Sequence, residues 1–129
     1  MSGPRILLVA ADLMVGSRVA GLAGACGATV EQRRAADATG GPFDLAIVDV
    51  QALTEDAATV FARLRADCPS DRPLRIVAFG PHVATQLLDQ ARAAGADDVV
   101  SRGELLGGFA AIVRRWENAG ADGGDRPLP

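Results

Sequence analysis

The chain has 129 residues, of which 49% are hydrophobic and 22% charged; that suffices for one domain with its own core and is too short for two. A formal net charge of −3 argues against a basic nucleic-acid surface, and no apolar stretch approaches the roughly 18 residues needed to span a bilayer. Met1 to Arg5 leads straight into an apolar run without the features of a secretory leader, so a cytoplasmic domain is expected.

Ile6-Leu7-Leu8-Val9 is a short continuous apolar run, the pattern of a strand buried on both faces. Met14, Val15, Val19, Leu22 and Ala23 then recur at three- and four-residue steps, predicting a helix that Gly24 and Gly27 bring to an end. Ala28 to Glu31 reads as a second strand. Arg33 to Pro42 has room for a turn or two of helix before Gly40-Gly41-Pro42 breaks it. Leu45 to Val48 is a second buried strand, with Asp49 at its carboxyl end. Thr54, followed by Glu55 and Asp56, supplies a hydroxyl cap and first-turn acids for a helix striped by Val60, Phe61 and Leu64. Pro69 and Pro73 punctuate its exit.

Leu74 to Phe79 is the fourth strand, turned by Gly80-Pro81 into a helix carrying Val83, Leu87, Leu88 and Ala91. Val99-Val100 is a short fifth strand. Leu105, Phe109, Ile112, Val113 and Trp116 stripe one last helix, with Gly107-Gly108 inside it at a cost of about 1 kcal/mol each. The domain is expected to span residues 1–117. Residues 118–129, rich in Gly, Asp and Pro, are expected to form a flexible tail.

Cys26 and Cys68 lie at no metal-ligand spacing and are expected as free thiols. All thirteen basic residues are arginine, so no site has an ammonium side chain. Strands alternating with helices call for a parallel sheet covered on both faces, whose functional crevice lies beyond the carboxyl ends of the strands. The residues there are Ala10, Ala11, Asp12, Asp49, Gly80, His82 and Arg102.

Arg5-Ile6-Leu7-Leu8-Val9, Phe43-Asp44-Leu45-Ala46-Ile47-Val48-Asp49 and Ala94-Gly95-Ala96-Asp97-Asp98-Val99-Val100, in this order and on these elements, resemble the receiver domain of two-component response regulators. The resemblance covers residues 5 to 116 and implies a flavodoxin-like sheet of order 2-1-3-4-5 with a shortened second helix. It makes Asp49 the match of the phosphoacceptor aspartate. The acidic pair that holds magnesium is matched by Ala10 and Ala11, whose methyl groups cannot ligate a metal, with Asp12 one residue beyond. The hydroxyl residue after the fourth strand is matched by Gly80. The lysine after the fifth strand is matched by Arg102, bulkier and planar, and the switch aromatic three residues earlier by Val99.

One feature of the phosphorylation site is thus kept and most are replaced, which implies a pseudo-receiver: a regulatory protein-interaction module with no enzymatic activity, catalytic residue, metal or other cofactor. Asp49 is expected to cap a turn or pair with Arg102, Asp12 to cap a helix, His82 to serve turn chemistry, and Asp97-Asp98 to form a solvated turn. A protein partner or a second copy is expected to dock on the face of the fourth helix, fifth strand and fifth helix, which includes Arg92, Val99, Arg114 and Arg115. Nucleic acid and membrane are not expected as partners. Two alternatives stand beside this reading. One is a functional response regulator phosphorylated on Asp49, with Mg2+ held by Asp12 and Asp49. The other is a flavodoxin-like small-ligand domain, for which neither Ala10 to Leu13 nor Gly80 to His82 supplies a recognisable phosphate loop.

Overall fold

The computed structural model describes residues 3–68 and 73–121. Five strands, β1 (Arg5–Val9), β2 (Thr29–Arg33), β3 (Leu45–Asp49), β4 (Arg75–Gly80) and β5 (Asp98–Ser101), form one sheet of order β2-β1-β3-β4-β5. All pairings are parallel. Five helices surround it: α1 (Leu13–Ala25), α2 (Ala57–Asp67), α3 (Thr85–Ala93), α4 (Arg102–Gly107) and α5 (Phe109–Ala121). A 3-10 turn at Val50–Ala52 follows β3. This is the flavodoxin-like receiver architecture, in the strand order expected.

The continuous apolar runs are explained by the two-residue period of a strand. Ile6, Leu8, Leu45, Ile47, Val77 and Phe79 share one core with Val15 and Val19 of α1, Leu105 of α4 and Phe109, Ile112, Val113 and Trp116 of α5. Their neighbours Leu7, Val9, Ala46, Val48, Ile76 and Ala78 share the other with Val60, Phe61 and Leu64 of α2 and Ala91 of α3. Cys26 packs on the first core and Cys68 in the second, so the sheet separates the two free thiols.

Two aspartates set the strand register. The Asp44 carboxylate accepts the Arg5 N–H at 2.8 Å while its own N–H donates to the Arg5 carbonyl at 2.8 Å. Asp97 repeats the arrangement on Ile76, at 2.7 and 2.8 Å. Its carboxylate also meets Arg65 at 3.0 Å, and Asp98 meets Arg115 at 2.8 Å. The Asp97-Asp98 pair lies at the end of the sheet opposite the crevice, with Asp97 exposed in a bend as expected, and it also clamps the strand register there.

Four expectations change. The shortened helix between β2 and β3 does not form: the segment is bends and a turn, tied down by two arginines. Arg5 donates to the carbonyls of Gly40 and Pro42, and Arg33 to those of Asp37 and Thr39. Both guanidinium groups lie over the Phe43 ring, 5.0 and 5.5 Å from its centre, and Glu31 pairs with both. Asp56, not Thr54, caps α2, through the Thr59 N–H, and Glu55 pairs instead with Arg63 at 2.8 Å.

The last helix is two helices. Gly108, with φ −122° and ψ 24°, closes α4, which a Ser101–Glu104 capping box opens. The apolar stripe survives the break because Leu105, Phe109, Ile112, Val113 and Trp116 are all buried. Finally, α5 runs to Ala121, past the tail boundary expected at Asn118, and residues 122–129 lie outside those described. Among the described residues no helix is long and apolar enough to cross a membrane.

Candidate functional site

β1, β3, β4 and β5 end side by side, with Val9 level with Val48, Asp49 with Phe79 and Gly80 with Ser101. This register gathers Ala10, Ala11, Asp12, Asp49, Gly80 and Arg102 at one end of the sheet.

Asp49 is buried, with 6% of its surface exposed. Its Oδ1 accepts the Gln51 N–H at 2.9 Å and so caps the 3-10 turn. Burial, which disfavours the charged form, pushes the carboxyl pKa up; the Gln51 hydrogen bond and the Arg102 charge only partly oppose this, and the Asp12 charge adds to it. The direct Asp49–Arg102 pair does not form: no acid lies within ion-pair distance of Arg102 among the described residues, and its buried Nε has no hydrogen-bond partner. Arg102 is spent as the first residue of α4, which directs its backbone away along the helix.

Asp12 is committed elsewhere. Its Oδ1 accepts the N–H groups of Met14 at 2.8 Å and Val15 at 3.3 Å, so it caps α1 as expected. Ala10 is buried in the α1 and α5 core and Ala11 is exposed. Gly80 is closed to larger residues, because a Cβ there would stand 2.8 Å from Val50 Cγ2. Val99 is half-buried against the α2 and α3 core, and His82 is exposed in the turn before α3. Magnesium usually keeps several waters and takes one or two carboxylates; the side-chain oxygens left for it here are the second oxygens of Asp49 and Asp12, each carboxylate being already held by backbone N–H groups.

Three contributors escaped the sequence reading. Gln32, at the end of β2, donates its side-chain amide to the carbonyls of Ala10 at 3.0 Å and Asp12 at 3.1 Å, fixing the loop after β1. Gly16 of α1 makes room for it: a Cβ there would lie 1.9 Å from Gln32 Oε1. The only signal was a glycine within a predicted helix, where it is unfavourable. Arg34 joins Ala10, Ala11, Leu13 and Gln32 around an open pocket of about 210 Å3. Leu13 and the Met14 that follows it are 74% and 77% exposed.

No family model matches the chain, and no curated protein matches it. Solved structures do. Full-length FixJ of B. japonicum is 20% identical, with 95% of this chain covering 63% of that one at a TM-score of 0.69. The receiver domain of a sensor histidine kinase from Pseudomonas aeruginosa PAO1, with magnesium coordinated in its active-site cleft, is 18% identical over 89% of this chain and 98% of its own, at 0.73. A member of a family of streptococcal redox sensors that evolved from two-component response regulators is 14% identical over 98% of this chain and 57% of its own, at 0.77. The chain thus has the receiver fold of response regulators, and it spans under two thirds of FixJ.

Proposed function

We propose that the chain is a pseudo-receiver: a signalling module that works through protein contacts without phosphorylation, without catalysis and without a metal, in the cytoplasm. The observation that carries this reading is the use of the crevice's own polar groups for structure. Asp12 caps α1 and Asp49 caps the turn after β3, while Ala10, Ala11 and Gly80 contribute no side-chain oxygen.

Phosphoryl transfer relies almost wholly on positioning and charge neutralisation. A carboxylate whose pKa is raised by burial, with Arg102 outside ion-pair distance and glycine in place of a hydroxyl residue at position 80, is poorly equipped for either. The streptococcal redox sensors, which evolved from two-component response regulators, give a precedent for this scaffold in another role. A protein partner or a second copy uses the face of α3, β5 and α5. There Arg92 and Arg115 are already paired with Asp89 and Asp98, which leaves Arg114 and Val99 for contact.

The test is titration of the isotopically labelled chain with magnesium and then with magnesium plus beryllofluoride, a mimic of the acyl phosphate. Backbone amides around Asp49, Gly80 and Arg102 report the result. No saturable shift at millimolar concentrations is expected. Saturable shifts that vanish in Asp49→Asn would overturn the reading and restore Asp49 as a phosphoacceptor.

A further inference from the structure

We propose that the pocket beside the end of β1 docks a partner segment presenting an aliphatic side chain next to a carboxylate. The proposal rests on the pseudo-receiver reading and adds a contact surface apart from the face of α3, β5 and α5, with its own chemistry.

The place where receivers concentrate negative charge is bordered here by Ala10, Ala11 and Leu13, with the Ala10 methyl turned into the core and no carboxylate in the lining. Leu13 and Met14, adjacent at the head of α1, leave about three quarters of their surface in water. Paired with the adjoining concavity, they form the kind of apolar surface that marks an interaction site. At about 210 Å3 the pocket falls below the roughly 300–1,000 Å3 of small-molecule sites. It suits a protruding side chain better than a cofactor. Its floor is already set, because Gln32 holds the Ala10 and Asp12 carbonyls, and a preformed site loses less entropy on binding.

The charge at the rim selects the partner. Arg5, Arg33, Arg63, Arg65, Arg92 and Arg115 are all in ion pairs. Arg34, on the pocket wall, is exposed and has none among the described residues. Its planar fork matches a carboxylate in two-point geometry. Two acids of this region are committed elsewhere: Asp12 to the first N–H groups of α1, and Glu55, which lines a second pocket with Arg34, to Arg63 at 2.8 Å. An acidic, aliphatic segment therefore fits both the wall and the rim.

The labelled full chain is titrated, without magnesium, with three probes: N-acetyl-leucine, N-acetyl-leucine methylamide and N-acetyl-lysine methylamide. N-Acetyl-leucine should produce saturable shifts at the Ala10, Ala11, Leu13 and Gln32 amides with a Kd of about 1–10 mM, fragment affinity for a single side chain. The uncharged leucine probe should bind about 5-fold more weakly, and the lysine probe should leave these amides unmoved. In Arg34→Gln the first two probes should become equal.

Absence of saturable shifts below about 50 mM, or the same response to all three probes, would overturn the proposal. So would shifts of these amides with protein concentration alone that disappear in Leu13→Glu, which would make a second copy the occupant. None of these results bears on the beryllofluoride titration, so failure of the docking proposal leaves the phosphorylation reading where that experiment puts it.

Discussion

Gly16 and Gln32 yield a prediction whose sign depends on the background. In Gly16→Ala the new Cβ would fall 1.9 Å from Gln32 Oε1 and 2.5 Å from its Cδ, so the glutamine must swing away and release the Ala10 and Asp12 carbonyls. Two hydrogen bonds at roughly 1 kcal/mol each, about 2 kcal/mol together, are then lost. Alanine in a helix returns about 1 kcal/mol relative to glycine. The net effect is a destabilisation of about 1 kcal/mol, a fall of roughly 4 °C in Tm for a domain of this size.

In a Gln32→Ala background the obstacle is gone, since the three atoms nearest the built Cβ all belong to Gln32. The same Gly16→Ala change should then stabilise by about 1 kcal/mol. Urea denaturation of the wild type, both single variants and the double variant measures the coupling, expected near 2 kcal/mol. A Gly16→Ala effect of the same sign and size in both backgrounds would refute the idea that Gly16 exists to seat this amide.

Asp49→Asn should raise Tm at pH 7. Burial lifts the folded-state pKa of Asp49, so the protonated form is the one the fold favours. That stabilisation is complete below the unfolded pKa, near 4, and is lost as pH rises through the folded value. Asparagine escapes the loss, so thermal melts should show the gain shrinking as pH falls toward 4; a gain constant with pH would contradict the assigned cause. At the other end of the sheet, Asp97→Ala removes a charge-assisted hydrogen bond to the Ile76 N–H and should cost about 2–3 kcal/mol, with faster exchange of that amide. Asp98→Ala removes only the exposed pair with Arg115 and should cost under about 1 kcal/mol. Equal costs for the two, by chemical denaturation, would remove Asp97 from its register role.

The strands were legible because burial on both faces leaves no polar alternation, as Ile6 to Val9 and Leu45 to Val48 show. The places of α1 and α2 followed from the stripes at Val15, Val19 and Ala23 and at Val60, Phe61 and Leu64. What escaped was decided across the chain. The loop that replaces a helix before β3 is held by Arg5 and Arg33, from two other strands, over the ring of Phe43, and no local pattern announces such a tie.

Asp12 as a cap could be read from its place before a helical stripe. Gln32 could not be read as its anchor, because the contacts join residues 20 and 22 positions apart. The Asp49–Arg102 pair was inferred from topology, but side-chain reach is set by the burial of Arg102 Nε and the direction in which α4 leaves the sheet.

The contact between Gly80 and Val50 bears on how the crevice can change. A serine at position 80 would push its Cβ to 2.8 Å from a Val50 methyl that is itself sealed in the core, so the hydroxyl arrives with a steric clash. Trimming Val50 first would open a void beneath the turn that Asp49 caps. Each step alone is downhill in stability, and only together do they compensate. The two positions are thus locked epistatically: a lineage, or an engineer, must cross both at once, and the present pairing acts as a ratchet on this end of the sheet.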